Sequence, residues 1–159
     1  MKIPTHLKHK PVVCAEGYDR IDGKYAANTD AQGLSLGLAQ WNDRGNVDIS
    51  AKIWRHSGEK WSRQSEEMPM HRVLDLAIMI CKAYAYFKEA YRIPGLFDPA
   101  KPTISAIELQ GAKSVLNICT DNPMIAGDIQ LFAQELNDEG ERLGERFRIL
   151  AAAIKEAGY

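Results

Sequence analysis

The sequence predicts an α+β domain: a small antiparallel sheet built on one β-hairpin, packed on a bundle of three to four α-helices, the last of them long. Three observations carry this. Val47, Ile49, Ala51 and Ile53 alternate with Asp48, Ser50 and Lys52, the period of a strand with one buried face. Residues 70–91 are apolar around most of a helical circumference, through Val73, Leu74, Ala77, Ile78, Ile80, Cys81, Tyr84 and Phe87, as in a central, heavily buried helix. From Ile125 through Ile129, Phe132, Leu136, Leu143, Phe147, Leu150 and Ile154, apolar residues recur at steps of three, four or seven. That phase holds across Asn137–Gly140, so one long helix is expected.

In chain order, residues 1–46 read as an irregular region with a short strand at Val12–Cys14 and a short helix. Asp30 caps that helix, and Leu34, Leu38 and Trp41 line one side of it. Asp19, Asp22, Asn28 and Asp30 gather in the preceding loop at spacings that do not match a calcium-binding hand. Residues 47–66 form the hairpin. Gly58 suits the first central position of a type II′ turn, which sets His56 opposite Trp61 and Trp54 opposite Arg63. Pro69 fits the first turn of the next helix, and Ile93, Pro94 and Gly95 end it. Ser105 and Glu108 match a capping box and predict a helix to about Ile118. Residues 70–157 are then a helical bundle, and the whole of 1–159 one domain.

Composition narrows the function without naming it. At 159 residues folding removes about 70% of the unfolded chain's surface, enough for an unassisted core. With 20 basic and 21 acidic residues the net charge is −1, which argues against a dedicated nucleic-acid binder. Cys14, Cys81 and Cys119 are odd in number and widely spaced, implying no disulfide framework or zinc knuckle; Cys81 and Cys119 read as small core residues. No apolar run is long enough for a signal peptide or a membrane span. The expected location is the cytoplasm.

The best place for a ligand is the junction of hairpin and helix. Lys52, Trp54, His56, Trp61, Arg63 and Ser65 share one face of the hairpin in the expected register. Trp54 and Trp61 would stack a flat ligand, Arg63, His71 and Arg72 would supply charge, and the helix N-terminus would supply backbone donors. The competing reading is that the tryptophans are packed and that Glu66 and Glu67 supply the negative partner internally. His71 and Asp75, four apart, meet on one helix face, with no nucleophile to accompany them.

The junction suggests a non-catalytic binding or adaptor protein that recognises a small anionic or planar ligand or a protein partner, without a cofactor. The alternative is a metal-dependent hydrolase acting on a nucleotide or phosphate compound, with Glu135, Asp138 and Glu139 holding Mg²⁺. The all-α nucleotide pyrophosphohydrolases place acids on two facing helices in this way, but Arg72 stands here where their first acid would fall relative to Asp75. A helix of about 30 residues would span about 45 Å, more than a small domain covers, and implies a homodimer; Gly140 and Gly144 would permit a close helix crossing.

The stretch from Tyr18 to Leu76, YDRIDGKYAANTDAQGLSLGLAQWNDRG followed after Asn46 and Val47 by DISAKIWRHSGEKWSRQSEEMPMHRVLDL, resembles a family of small bacterial proteins with no established function. The resemblance implies a bacterial, intracellular, stand-alone domain. It implies no activity, cofactor or catalytic residue.

Overall fold

The computed structural model describes residues 2–26, 28–62, 64–90 and 98–159. They form an α+β protein with a four-stranded and a two-stranded antiparallel sheet and three α-helices. The chain divides into two compact units, Met1–Leu76 and Ala77–Tyr159, and the boundary falls within helix α1, Met70–Ala90.

The first unit is built on a meander of four strands in sequential order: β1 Lys10–Glu16, β2 Ala31–Leu38, β3 Ile49–Arg55 and β4 Glu67–Pro69. The expected helix after Asp30 is strand β2 instead. Its alternation is small against large: Ala31, Gly33, Ser35 and Gly37 point to a buried face, while Gln32, Leu34, Leu36 and Leu38 point to the other. The small side chains leave room for the N-terminal segment, whose Ile3, Pro4 and His9 are buried. A Cβ on Gly33 would press on Ile3, and one on Gly37 would overlap the Lys10 carbonyl. The expected short strand at Val12–Cys14 is the longer β1, and Val12 is the extra residue where its register shifts.

The hairpin forms with the expected turn. Gly58 has φ +93°, and His56 pairs with Trp61. Its return arm is irregular, however. His56 opposite Trp61 would set Lys52 opposite Ser65, but Lys52 pairs with Glu67, so the return arm has two more residues than the expected register between Trp61 and β4. Glu67 thereby takes the place expected for Ser65.

In the second unit, the capping-box reading of Ser105 and Glu108 fails. Residues 103–117 form a hairpin, β5 Thr103–Leu109 and β6 Ala112–Asn117. Gln110 and Gly111 have φ of 53° and 75°, the two positive values of a type I′ turn. The turn brings the β-branched and apolar residues on either side into register, which outweighs a capping pattern with no helical turn to follow it.

The single C-terminal helix is two: α2 Ile125–Asp138 and α3 Gly140–Glu156. Glu139 separates them, although the Glu139 amide still reaches Glu135 and the Leu143 amide still reaches Glu139. Apolar phase survives a one-residue interruption, which is why periodicity did not reveal it. The lengths of 14 and 17 residues correspond to about 21 and 26 Å at 1.5 Å per residue. Neither helix is longer than a small domain covers, so helix length does not call for a dimer.

Helix α1 covers Met70–Ala90 of the expected 70–91, and Tyr91 and the predicted stop at residues 93–95 lie outside the described residues. It is not heavily buried. Leu74, Leu76, Ile78, Met79, Ile80 and Cys81 are exposed, and Val73 and Tyr84 half-buried. Phe87 is the buried anchor, in a core with Ile118 and Ala133 that Ile104, Ile125, Ile129 and Leu136 flank. An apolar circumference states a preference for burial; it does not supply the surface to satisfy it. Cys119, like Cys81, is exposed and free. Among the described residues no helix is long and apolar enough to cross a membrane.

Candidate functional site

Trp54 and Trp61 do share a face of the hairpin, their rings edge to face at 5.9 Å. Trp54 nevertheless presents no open surface: it is 1% exposed, with the His9 ring 5.8 Å away and the Lys52 ammonium 4.5 Å from its ring centre. Trp61 is half-buried against His56, 5.0 Å away. Arg63 lies outside the described residues. His71 and Arg72 are exposed.

The strand separates these groups. Pro69, where α1 begins, pairs with Ser50, and Trp61 pairs with His56. Ser50 and His56 are six positions apart along the strand, about 20 Å. A return strand carries the chain back to the start of the hairpin, so the helix begins at the end far from the turn. Trp61 is therefore not brought together with His71 and Arg72.

A buried polar cluster occupies the hairpin face instead. Cross-strand pairing sets Ser35 beside Lys52 and Lys52 beside Glu67, and the N-terminal segment lays His9 over them. The Trp54 indole N–H donates to Ser35 Oγ at 2.8 Å. An indole only donates, so the Ser35 hydroxyl is free to donate onward to His9 Nε2, 2.9 Å away. Nδ1 is 3.1 Å from both Ser50 Oγ and Glu67 Oε1, and because a carboxylate oxygen only accepts, the His9 ring proton belongs on Nδ1 and Nε2 accepts from Ser35. Ser50 donates to Glu67 Oε1 at 2.8 Å, as does the Gln40 amide, and Lys52 reaches Oε2 at 3.2 Å.

Burial raises the affinity of Glu67 for a proton, but these hydrogen bonds outweigh it and hold the carboxyl below its usual range. Glu66, the other internal acid considered, is engaged by Arg55, which also binds Asp30. Those bonds hold Glu66 below the ordinary range and raise Arg55 above it.

Ser35, His9 and Glu67 have the connectivity of a serine–histidine–carboxylate triad. They lack its accessibility. Ser35 is 6% exposed and His9 1%, and the indole N–H occupies the oxygen that a nucleophile would aim at substrate. Each buried polar side-chain atom of the described residues has a partner. The cluster ties the N-terminal segment to the sheet. Sequence reasoning found Lys52 and Trp54 on this face but missed His9, Ser35 and Ser50. The available signal was the run of small residues at alternate positions of 31–39, which marks a strand covered closely by backbone.

The second unit holds an open cleft of about 540 Å³. Met79, Ala83 and Phe87 of α1 form one wall, Ile104, Val115 and Ile118 of the hairpin region another, and Ile125, Ile129 and Phe132 of α2 a third. The lining is apolar, with Phe87 and Phe132 edge to face at 5.1 Å. Asn117, Asn122 and Asp128 supply the polar groups. Asn117 accepts from Thr103 at 2.8 Å, and Asn122 donates to Asp128 at 2.7 Å. The Asn122 carbonyl oxygen also accepts the Met124 amide, which fixes the start of α2.

Glu135 and Asp138 are exposed on α2, and Glu139 accepts from Arg142 at 3.0 Å. Among the described residues no three His, Cys, Asp or Glu side chains are grouped as metal ligands would be. Gly140 and Gly144 meet no backbone of another helix: the nearest atoms to an added Cβ are the Tyr84 hydroxyl and the Arg148 guanidinium.

Comparison with curated proteins finds no match, and comparison with solved structures finds none either. Residues 1–159 match the model of a family of unknown function, DUF6530, and the chain belongs to that family.

Proposed function

We propose that this protein is a non-catalytic binding protein, and that its ligand is a small, planar, mainly apolar molecule held in the cleft between α1, the β5–β6 hairpin and α2. The cleft is the observation that carries this reading. A volume of about 540 Å³ lies within the range of about 300–1,000 Å³ typical of small-molecule sites, as does an apolar lining with a few polar groups. The reading keeps the binding role expected from the sequence and moves it away from the hairpin–helix junction, where Trp54 is closed off.

The same reading takes the protein to be cytoplasmic and self-associating. Its three cysteines are free and exposed, as suits a reducing compartment. Val13, Leu36, Leu38 and Ile49 are exposed on the sheet face opposite the polar cluster, the kind of apolar patch that a second copy covers. Light scattering should return a mass of twice 17.8 kDa; a monomer at high concentration contradicts self-association and leaves the cleft untouched.

The cleft is tested with anilinonaphthalene sulfonate, a planar apolar dye bearing one anionic group. The native protein should bind it saturably at one site. Ala83→Phe, which fills the cleft, should weaken binding at least tenfold while the melting temperature stays within a few degrees. Equal dye binding by Ala83→Phe overturns the proposal.

A further inference from the structure

A second depression, about 650 Å³, lies on a different part of the same unit. Every residue of β5 from Thr103 to Leu109 lines it, α1 adds Ile78 and Lys82, and β6 adds only Lys113. It is therefore a groove running along β5 beside α1.

Among the described residues β5 pairs only with β6. The two-residue turn makes Leu109 and Ala112 a hydrogen-bonded pair, and alternation makes Ala106 with Val115, and Glu108 with Lys113, non-hydrogen-bonded pairs. The N–H and C=O groups of Ala106 and Glu108 consequently point away from β6, toward the open edge. Two donors and two acceptors stand there in the arrangement that an added strand completes.

The wall opposite is selective. Ile78 and Lys82 are four residues apart and share a face of α1, with a separation of about 6 Å along the axis. Alternate side chains of an extended strand are about 6.6 Å apart. An apolar residue over Ile78 and an acidic residue two positions away at Lys82 thus match the wall. Lys113 is already paired with Glu108 at 3.1 Å, whereas Lys82 makes no ion pair among the described residues.

We propose that the groove between α1 and the open edge of β5 binds an extended peptide segment of a partner protein as an added strand, with an acidic side chain of that segment paired to Lys82. This is independent of the apolar cleft and adds a protein partner to the small ligand.

The test is selection of a displayed random heptapeptide library on the full-length protein, followed by fluorescence polarisation with the enriched peptides. The enriched sequences should share an apolar residue and an acidic residue two positions apart. Ala106→Pro removes one outward N–H at a position where an edge strand tolerates proline, and it should weaken binding at least tenfold. Lys82→Glu, a surface change on a helix, should do the same and should select basic peptides in place of acidic ones. Circular dichroism and melting of both variants should match the native protein; if Ala106→Pro does not fold, Lys82→Glu decides alone. No enrichment of acidic peptides on the native protein, or equal binding of the enriched peptides by Lys82→Glu, overturns the proposal.

Discussion

His9 Nε2 lies 2.9 Å from the Ser35 hydroxyl oxygen, and that oxygen also accepts the Trp54 indole N–H. Because the Glu67 carboxylate 3.1 Å from Nδ1 only accepts, the ring proton sits on Nδ1, Nε2 is the acceptor, and the direction of the chain of bonds follows: Trp54 to Ser35, Ser35 to His9, His9 to Glu67. A segment near the start of the sequence is thereby fixed to three strands. Nitrogen NMR of the imidazole should show Nε2 unprotonated and Nδ1 protonated. The reverse tautomer would contradict this bond order.

Ser35→Ala should be costly although it removes one oxygen atom. The Trp54 N–H and His9 Nε2 would lose their partner in a buried site, and each unsatisfied group costs about 1–3 kcal/mol. Urea denaturation should show a loss in that range or above it. Ser57→Ala, in the exposed turn, should change stability by about 0.5 kcal/mol or less.

Glu67 makes stability depend on acid. Its folded carboxyl is held below the usual range, so its contribution is fully present above the unfolded value of about 4.3 and is lost as pH falls through the lower folded value. Denaturation midpoints measured from neutral pH downward should therefore fall in the acid range, and Glu67→Gln should flatten that limb while lowering stability at neutral pH. Glu66→Gln should flatten it less, since Glu66 and Arg55 are solvent-exposed partners and such pairs contribute little.

Two glycines should respond in opposite directions. At Gly37 a Cβ would overlap the Lys10 carbonyl, so Gly37→Ala should destabilise by about 1–3 kcal/mol, as overpacking does. Gly144 lies within α3 with only the flexible end of Arg148 near it, and Gly144→Ala should stabilise by up to about 1 kcal/mol. Thermal melting of the two variants checks both signs. A loss at Gly144 would mean that another chain packs on that position.

What the sequence revealed depended on how each element announces itself. The 49–55 strand was legible because apolar and polar residues alternate there, and Gly58 fixed the turn and the pairing of His56 with Trp61. Strand β2 was not, since its alternation is between glycine, alanine or serine and larger residues, and glycine weakens any helix or strand signal. The β5–β6 hairpin was masked by a chance capping pattern, although Gln110 and Gly111 held the turn. The polar cluster was out of reach for a different reason. His9 meets Ser35, Ser50 and Glu67 across 26, 41 and 58 residues of sequence, and no local pattern encodes such distances. The cleft depends likewise on how α1, β5–β6 and α2 assemble, so its apolar residues read only as core.

The most direct test of the proposed binding role is a methyl NMR titration of the native protein against a library of small planar fragments. Binding fragments should shift the methyl resonances of Ile104, Ile118 and Ile129, which surround the cleft, and leave those of Ile49 and Ile53 in β3 unmoved. Fragments that perturb β3 alone, or a library that leaves the three cleft isoleucines unmoved, would contradict that role.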